Sequence, residues 1–562
     1  MNLPPMLGFT TRTAYLRKQF QTLGRPAFEE QLMTMAAKIG PDRFRTGAAD
    51  DLISTTRPAE LLPDVYSAYR PVVIDGIRFM LSRLSLSRVV GLVADQAELA
   101  PDAPTAHRLT RLARRLPTFH KLGQIIARNR HLDPSFKTWL VGLENGPATT
   151  AMADIEAMVR DALGGDEASR GVTMGSAPLA EASVGVVIPF DYAPPDGGRV
   201  RHGVLKTLKP GVRDHLAEEL GLLDDLARHF EARRGRYSLD RFRFIETFAE
   251  VRRILMEEID LPGEQRNLAR AAAFYKRRGG ATVPGVLPIS TDTLTAMDFV
   301  AGEKITDGPA DADERCRRAR TLFRSLILAP LFSTLEAPPF HGDPHAGNLL
   351  ASSGDGASGR ARIGLVDWSL SGTLHRRQRR RLMALMRGVV ADDATGMERA
   401  VRAMAAESDE EDRGEDAAIE PSIREITARS DYRCGSICAR TFALIDGLVL
   451  AGIPFPADLM LFRKTFFTLD GVIADLDPDF DMDGVMMSEM ARLLAAEMPQ
   501  RWLAWLFPFA DRAENYRTLT SNEDLRRLMS RLLLDLCRKG TRLASGMAIG
   551  GFRTLFPFAA PR

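Results

Sequence analysis

Three polar residues in the middle of the chain have the types and spacing for metal-dependent phosphoryl transfer. Residues 341–350 read His-Gly-Asp-Pro-His-Ala-Gly-Asn-Leu-Leu, which places Asn348 five residues after Asp343. In that chemistry an Asp orients the attacking group, and an Asn at this spacing holds a metal ion. Asp367 follows the apolar pair Leu365-Val366, the end of a predicted buried strand, where its carboxylate can hold the metal that bridges nucleotide phosphates.

The segment between these residues predicts how they come together. Residues 352–359 are a run of Ser, Gly, Asp and Ala, a composition typical of a hairpin turn. A hairpin at this place would bring Asn348 and Asp367 side by side.

A second set of residues lies upstream, where two strands are predicted. Residues 182–188 and 203–210 are apolar runs separated by the turn Asp-Gly-Gly at 196–198. Lys206 lies in the centre of the second run, where a lysine can reach nucleotide phosphates. A helix-borne glutamate must fix such a lysine, and Glu258 and Glu264, on either side of Pro262, are both candidates.

Two further strands are predicted at 283–289 and 293–299, and a helix is predicted over 315–334. The two strands would lead into a hinge at 297–302, and backbone groups of this hinge would bind adenine. Met297 and Phe299 are therefore candidate nucleotide-binding residues.

Composition limits the classes of protein. The chain has 562 residues, 45% of them hydrophobic, so we expect two or three structural units. A net charge of +2 gives no argument for a nucleic-acid partner. With neither a signal peptide nor an apolar run long enough to span a bilayer, we expect a cytoplasmic protein.

The cluster Trp502, Trp505, Leu506, Phe507 and Phe509 beside Arg501 has two interpretations. A buried core helix is favoured. The alternative is peripheral contact with the inner face of a membrane.

Taken together, the motifs resemble the UbiB, AarF or ADCK family of atypical kinase-like proteins. The family's Lys-x-Gly-Gln signature is present as Lys121-Leu122-Gly123-Gln124, and the strand lysine is followed by a basic-Pro-Gly sequence at 209–211. The Glu-x-Asp motif with its second Glu and Asn is found in Glu258, Asp260, Glu264 and Asn267. The catalytic loop at 341–348 is intact, and the resemblance covers roughly residues 70–480. Three departures are the loop at 177–185, where Pro178 and Glu181 interrupt the family's Ala-rich sequence, Asp367-Trp368-Ser369 for the usual Asp-Phe-Gly, and Leu-Pro-Gly at 261–263.

The resemblance implies an α+β, two-lobed protein-kinase-like fold that binds ATP and Mg²⁺. Its expected organisation is a helical region at 1–95, a helical extension with the Lys-x-Gly-Gln motif at 96–168, a small lobe at 169–300, a large lobe at 301–404, an acidic linker at 405–421 and a helical region at 422–562.

Residue roles also follow from the resemblance. Asp343 would act on the acceptor, Asn348 and Asp367 would bind metal, and Lys206 would contact phosphates beside Glu258 or Glu264. Ala182, Ser183 and Gly185 would belong to the family's Ala-rich nucleotide loop. Lys121 and Gln124 would lie over the active site and restrict protein substrates.

The implied function is an ATPase or phosphotransferase linked to prenyl-quinone (ubiquinone) or other isoprenoid lipid metabolism. Two alternatives stay open. One is a small-molecule kinase of the aminoglycoside or choline type, and the other is a pseudokinase that binds nucleotide or lipid without catalysis. The acceptor and the oligomeric state are not predicted.

Overall fold

The computed structural model divides the chain into two compact units. Unit 1 comprises Met1–Arg266 and Gly285–Phe299, and unit 2 comprises Asn267–Pro284 and Val300–Arg562. The structure describes residues 9–61, 67, 70–116, 118, 150–165, 171–181, 184–194, 197–237, 244–307, 311–352, 362–407, 419–507, 509 and 511–533. The chain passes from unit 1 to unit 2 after Phe299, within the segment predicted as a hinge.

Unit 1 begins with a helical layer. Its helices are α1 (Phe9–Leu23), α2 (Arg25–Ile39), α3 (Pro41–Thr56), α4 (Arg70–Leu81), α5 (Leu86–Glu98) and α6 (Thr105–Arg114). Apolar residues at helical spacing, such as Phe28 and Leu32 of α2, pack with Leu52, Val89 and Leu112 in one buried cluster. The stability of this layer therefore comes from packed helix faces.

An antiparallel sheet forms the second part of unit 1. Its strands are β1 (Val172–Met174), β2 (Ala180–Glu181), β3 (Gly185–Tyr192), β4 (Arg201–Leu208) and β6 (Leu294–Asp298). The strand order is β1-β3-β4-β6, and β2 also pairs with β3. The helices of this part are α7 (Met152–Ala162), α8 (Val212–Glu231) and α9 (Phe244–Ile259).

Strand β4 is the central strand that carries Lys206. The register aligns Lys206 with Val187 on β3 and with Thr295 on β6. Its neighbours Leu205 and Thr207 are buried, as expected for a strand with partners on both sides.

Helix α10 (Leu261–Lys276) begins in unit 1 and continues in unit 2. Pro262 lies in its first turn, where a missing N–H is tolerated. The Asp260 carboxylate accepts a hydrogen bond of 2.9 Å from the Gly263 N–H. A Cβ at residue 263 would lie 2.1 Å from Asp260 Oδ2, so Gly263 makes room for this cap. The Leu-Pro-Gly departure thus starts a new helix.

The sheets of unit 2 are small. The first has the order β5-β10-β9-β7, and its strands are β5 (Ala281–Thr282), β7 (Glu303–Lys304), β9 (Leu349–Ser352) and β10 (Arg362–Leu365). The second joins β8 (Pro339–His341) to β11 (Ser371–Thr373). β9 and β10 pair antiparallel, which confirms the predicted pairing of the strands that flank residues 353–361.

The other described part of unit 2 is mainly helical. Its helices are α11 (Ala312–Phe323), α12 (Ala329–Leu331), α13 (Arg376–Val390), α14 (Ala394–Ala405), α15 (Ile419–Ala428), α16 (Ser430–Arg433), α17 (Ile437–Leu450), α18 (Ala457–Leu476) and α19 (Met482–Leu506). Residues 522–533 are also helical.

Two predicted elements differ from the structure. The strand predicted at 283–289 is not formed: Val286 makes an isolated bridge to Met297, because Pro284 and Pro288 have no N–H for a ladder. The helix predicted at 315–334 is interrupted by a π-helical turn at Arg324–Leu328. Pro330, just beyond it, cannot donate to a regular α-helical bond, which accounts for the interruption.

Candidate active site

A buried ion pair in unit 1 links the predicted lysine to one of its two candidate glutamates. Lys206 Nζ lies 2.7 Å from Glu264 Oε1, and both residues are buried. Glu264 is in the first turn of α10. Glu258 lies in the last turn of α9 and is half-buried. The tertiary structure therefore assigns the buried partner of Lys206 to Glu264.

The predicted nucleotide-contacting residues of unit 1 have different surroundings. Gly185 begins β3, opposite Leu208. Met297 is buried in β6, opposite Val204. Phe299 follows β6 with 44% of its surface exposed, and its N–H donates to the His202 carbonyl. The predicted residues Ala182, Ser183, Lys121 and Gln124 lie outside the described part of the chain.

The catalytic-loop residues of unit 2 are fixed by hydrogen bonds within the loop. β8 ends at His341, and β9 begins at Leu349. The Asp343 N–H donates to Nδ1 of His341 over 3.1 Å, and the Asn348 side-chain amide donates to the Asp343 carbonyl over 3.1 Å. Because its Nδ2 is used in this way, the remaining polar atom of the Asn348 side chain is an oxygen, the kind of atom that binds Mg²⁺.

His341 is fully buried and acts as the centre of this network. Its Nδ1 accepts from Asp343, so the proton of the neutral ring is on Nε2, which lies 3.0 Å from the Val366 carbonyl. The Thr465 hydroxyl donates to the His341 carbonyl over 2.9 Å. Burial lowers the pKa of His341 and favours the neutral ring.

The register of β9 and β10 brings the two predicted metal ligands close in the fold. Leu349 is opposite Leu365, and the Val366 N–H donates to the Asn348 carbonyl over 3.0 Å. Asp367 is the next residue. The predicted proximity of Asn348 and Asp367 therefore follows from the strand pairing.

Asp367 adopts an uncommon backbone conformation, with φ of 58°. The Ser369 hydroxyl donates to Asp367 Oδ1 over 2.7 Å, and the Ser369 N–H lies 3.3 Å from the same oxygen. Asp367 is thus the residue of the Asp-Trp-Ser motif that adopts the left-handed backbone conformation. Serine replaces the usual glycine and adds a hydrogen bond that orients the carboxylate.

Trp368 anchors the motif from the interior. It is fully buried, its ring centre lies 4.8 Å from that of His341, and its Nε1 donates to the Leu365 carbonyl. The Asn267 side-chain amide donates to the Trp368 carbonyl over 3.1 Å. These contacts hold the backbone directly after Asp367.

Three of these supporting residues were not predicted as site residues: Ser369, Thr465 and Asn267. Asn267 could have been predicted as a site residue, since it belongs to the Glu-x-Asp motif. Ser369 was noted only as a replacement of glycine. Thr465 is 124 residues from His341, and no local pattern connects the two.

The residues fit a magnesium ion. Mg²⁺ prefers oxygen ligands and is usually bound by one or two protein side chains together with water and phosphate oxygens. Asp367 can supply a carboxylate oxygen and Asn348 an amide oxygen, and the backbone contact of Val366 with Asn348 keeps the two residues near each other in the fold. A bound Mg²⁺ would neutralise charge on nucleotide phosphates.

A sequence model of the ABC1 atypical kinase-like domain matches residues 143–401. The chain is 26% identical over 376 residues to the uncharacterised protein sll1770 of Synechocystis sp., covering 66% of this chain and 61% of that protein. It is 25% identical over 411 residues to a probable protein kinase UbiB of Xanthomonas campestris pv. campestris, covering 71% of each chain. A probable protein kinase UbiB of Xylella fastidiosa is 24% identical, over 68% of this chain and 69% of that one.

Among solved structures, the chain is similar to Rv3197 of Mycobacterium tuberculosis, solved in complex with erythromycin. The TM-score is 0.41 with 16% identity, covering 69% of this chain and 97% of that one.

The domain match and the UbiB relatives agree with the ordered motifs and the ion pair of Lys206. Residues 143–401 match the ABC1 atypical kinase-like domain, which gives the chain a kinase-like fold, and the chain is similar to probable protein kinases UbiB at 24–25% identity.

Proposed function

We propose that this protein is a Mg²⁺-dependent ATPase or phosphotransferase of the atypical kinase type. The observation that carries the proposal is the loop network of unit 2, in which one buried neutral imidazole is bonded to the backbone of Asp343 and to the carbonyl just before Asp367. A network of this kind holds a catalytic carboxylate and a metal ligand in fixed positions before ligand binds, which is what electrostatic catalysis requires.

The roles of the residues follow from their chemistry. Asp343 accepts the proton of the attacking hydroxyl or water, or orients it. Asn348 and Asp367 bind Mg²⁺. Lys206 contacts phosphate oxygens, and Glu264 holds its ammonium group in place. The resemblance to the family supports a link to prenyl-quinone (ubiquinone) or other isoprenoid lipid metabolism.

Contact with a membrane surface is the second part of the proposal. The core position favoured for the cluster near Trp502 is wrong: Trp502 is 68% exposed and Phe509 is 79% exposed. Leu506 and Phe507 are exposed too, which extends the apolar surface. Exposed aromatic and aliphatic side chains of this kind can insert into the headgroup region of a bilayer.

The basic residue beside the cluster does not contribute to that surface. Arg501 is buried and bonded to Glu497, Thr518 and the Thr520 carbonyl. Within the described residues, no helix is long and apolar enough to cross a membrane. The proposed contact is therefore peripheral and apolar.

The experiment combines ATP turnover with ligand-induced thermal shifts. A ligand that binds only the folded protein stabilises it, by about 2.7 kcal/mol at a hundred times Kd. Wild type should show a Mg²⁺-dependent shift with ATP or ADP. Asp367→Asn should lose most of the shift because it lacks the charge that balances the metal. Asp343→Asn should keep much of the shift and lose turnover.

Asp479→Asn is the matched control, since Asp479 is exposed in the same unit. It should behave as wild type. A shift without turnover in wild type would identify a nucleotide-binding pseudokinase and contradict the enzymatic part of the proposal. Equal shifts in wild type and Asp367→Asn would contradict the metal assignment.

A further inference from the structure

Unit 2 contains a cavity with charged residues in its lining, none of which the proposed catalysis uses. Its volume is about 320 Å³. Helices α13 and α14 and the helical segment 522–533 contribute most of its lining. The charged residues that line it are Arg380, Arg381, Arg387, Arg399, Arg527 and Arg531, with Asp393 and Asp524.

Small residues of the same two helices form another part of the lining. Neighbouring members are about one turn apart: Ala384 and Gly388 on α13, Ala391 directly after it, and Gly396, Ala400 and Ala403 on α14. Short side chains leave the space open between the long arginines. Gly388 also allows the helices to approach closely, because a Cβ there would lie 2.7 Å from Met397 Cγ.

Among the residues that line the cavity, positive charges outnumber negative ones. The six arginines face two aspartates within the lining, a net formal charge of +4. Arg387 lies 3.2 Å from Asp524, and Arg531 pairs with Asp393. The other carboxylates that pair with these arginines, Glu407, Glu514 and Glu523, are not part of the lining.

Burial makes this charge costly. It lowers the pKa of Arg387 despite the nearby Asp524 carboxylate, and it lowers the pKa of Arg381. A lowered pKa of an arginine means that the surroundings do not fully replace the hydration of the guanidinium. A bound anion would relieve that cost.

We infer that this arginine-lined cavity is a binding site for a small phosphate-bearing anion, such as an organic phosphate or a diphosphate. The arginine side chain presents paired N–H donors that match phosphate oxygens. The cavity volume is at the lower end of the range for small-molecule sites, which suits a compact ligand. The inference does not depend on the proposed nucleotide chemistry.

The alternative is that the arginines only attach the segment 522–533 to α13 and α14 through ion pairs. Arg387–Asp524 and Arg531–Asp393 would serve that purpose. Arg399 does not attach the segment in this way. It donates to the Thr395 carbonyl in its own helix, and among the described residues it forms no ion pair. An exposed guanidinium on the cavity rim is available to a ligand.

The test measures binding of inorganic pyrophosphate by calorimetry, without Mg²⁺, to matched variants of the full chain. The cavity variant is Arg399→Gln/Arg527→Gln, and the control is Arg402→Gln/Arg526→Gln. The control residues lie on the same two helical segments, outside the lining, and their loss changes the net charge equally. The cavity variant should bind at least about tenfold more weakly than the control, since charged hydrogen bonds are lost.

A second arm identifies the source of the phosphate. Vesicles of phosphatidylglycerol replace pyrophosphate in the second arm, and an arginine-dependent response to vesicles alone would assign the phosphate to a lipid headgroup. Absence of an arginine-dependent response in both arms would overturn the inference.

Discussion

The side-chain amide of Asn267 donates a hydrogen bond of 3.1 Å to the backbone carbonyl of Trp368, the residue directly after Asp367. Asn267 lies one helical turn after Glu264 on α10. One turn of helix thus carries both the buried partner of Lys206 and a residue that fixes the Asp-Trp-Ser motif. Each contact orients a different group needed for the proposed metal–nucleotide binding.

Replacing Asn267 should therefore weaken metal binding without removing a ligand. Asn267→Ala removes the hydrogen bond that holds Trp368, at a cost of about 0.5–1.5 kcal/mol in stability. We expect a smaller Mg²⁺-nucleotide thermal shift and a raised Mg²⁺ requirement for turnover. Arg270→Ala, an exposed position on the same helix, is the control. Unchanged Mg²⁺ dependence in Asn267→Ala would assign this residue a purely structural role.

The pair Lys206–Glu264 should show strong coupling in a double-mutant cycle. Removing one partner of a buried ion pair leaves an uncompensated charge and costs about 3–5 kcal/mol. We expect Lys206→Met and Glu264→Gln each to destabilise the fold, and Lys206→Met/Glu264→Gln to cost less than the sum. Chemical unfolding of the four proteins gives the coupling. Additive losses would show that the charges are not interacting.

The stability of the protein should fall as the pH decreases below about 6.5, partly through His341. Burial keeps the pKa of His341 below its ordinary value of 6.5, so the unfolded chain takes up this proton first. The contribution of His341 is complete above pH 6.5 and decreases by up to about 1.4 kcal/mol per pH unit below it, until the folded-state pKa is reached.

The measurement is the free energy of unfolding between pH 5.5 and 7.5 for wild type and His341→Asn. The variant should have a shallower pH dependence, because it lacks the buried imidazole. His107→Asn, at an exposed position, should keep the slope of the wild type. Equal slopes for His341→Asn and wild type would contradict the protonation argument.

The exposed apolar surface near the end of α19 should mediate vesicle binding. Trp502→Ser/Phe509→Ser removes two of its largest exposed side chains, and we expect it to reduce co-sedimentation with lipid vesicles. Leu450→Ser is the control, because Leu450 is 90% exposed elsewhere in the same unit. If the control loses as much binding as the double variant, general hydrophobicity is responsible and the assigned surface is wrong.

Local sequence patterns predicted much of the site because its parts are short and contiguous. The spacing of Asp343 and Asn348 is set within one loop, and a turn-forming segment between two apolar runs predicts that β9 and β10 pair. Lys206 was found in the same way, as the polar centre of an apolar strand. Such features depend on neighbours a few residues away, which a sequence displays directly.

Pro284 and Pro288 indicate that residues 283–289 do not form a regular strand, although the apolar residues around them are typical of one. An apolar run predicted a strand at 283–289, but residues without an N–H cannot continue a ladder. Pro262 predicts either a kink or a new helix start, and α10 begins at Leu261, directly before this proline.

Only the tertiary structure decided the choices that depend on distant contacts. Glu258 and Glu264 are equivalent in sequence, and packing alone brings Glu264 to Lys206. Thr465 reaches the His341 carbonyl across 124 residues. Whether the aromatic run near Trp502 is core or surface depends on which helix face finds a partner. The arginine cavity likewise exists only because three helical segments meet. The sequence of one segment does not show which charged residues of the other two lie close to it.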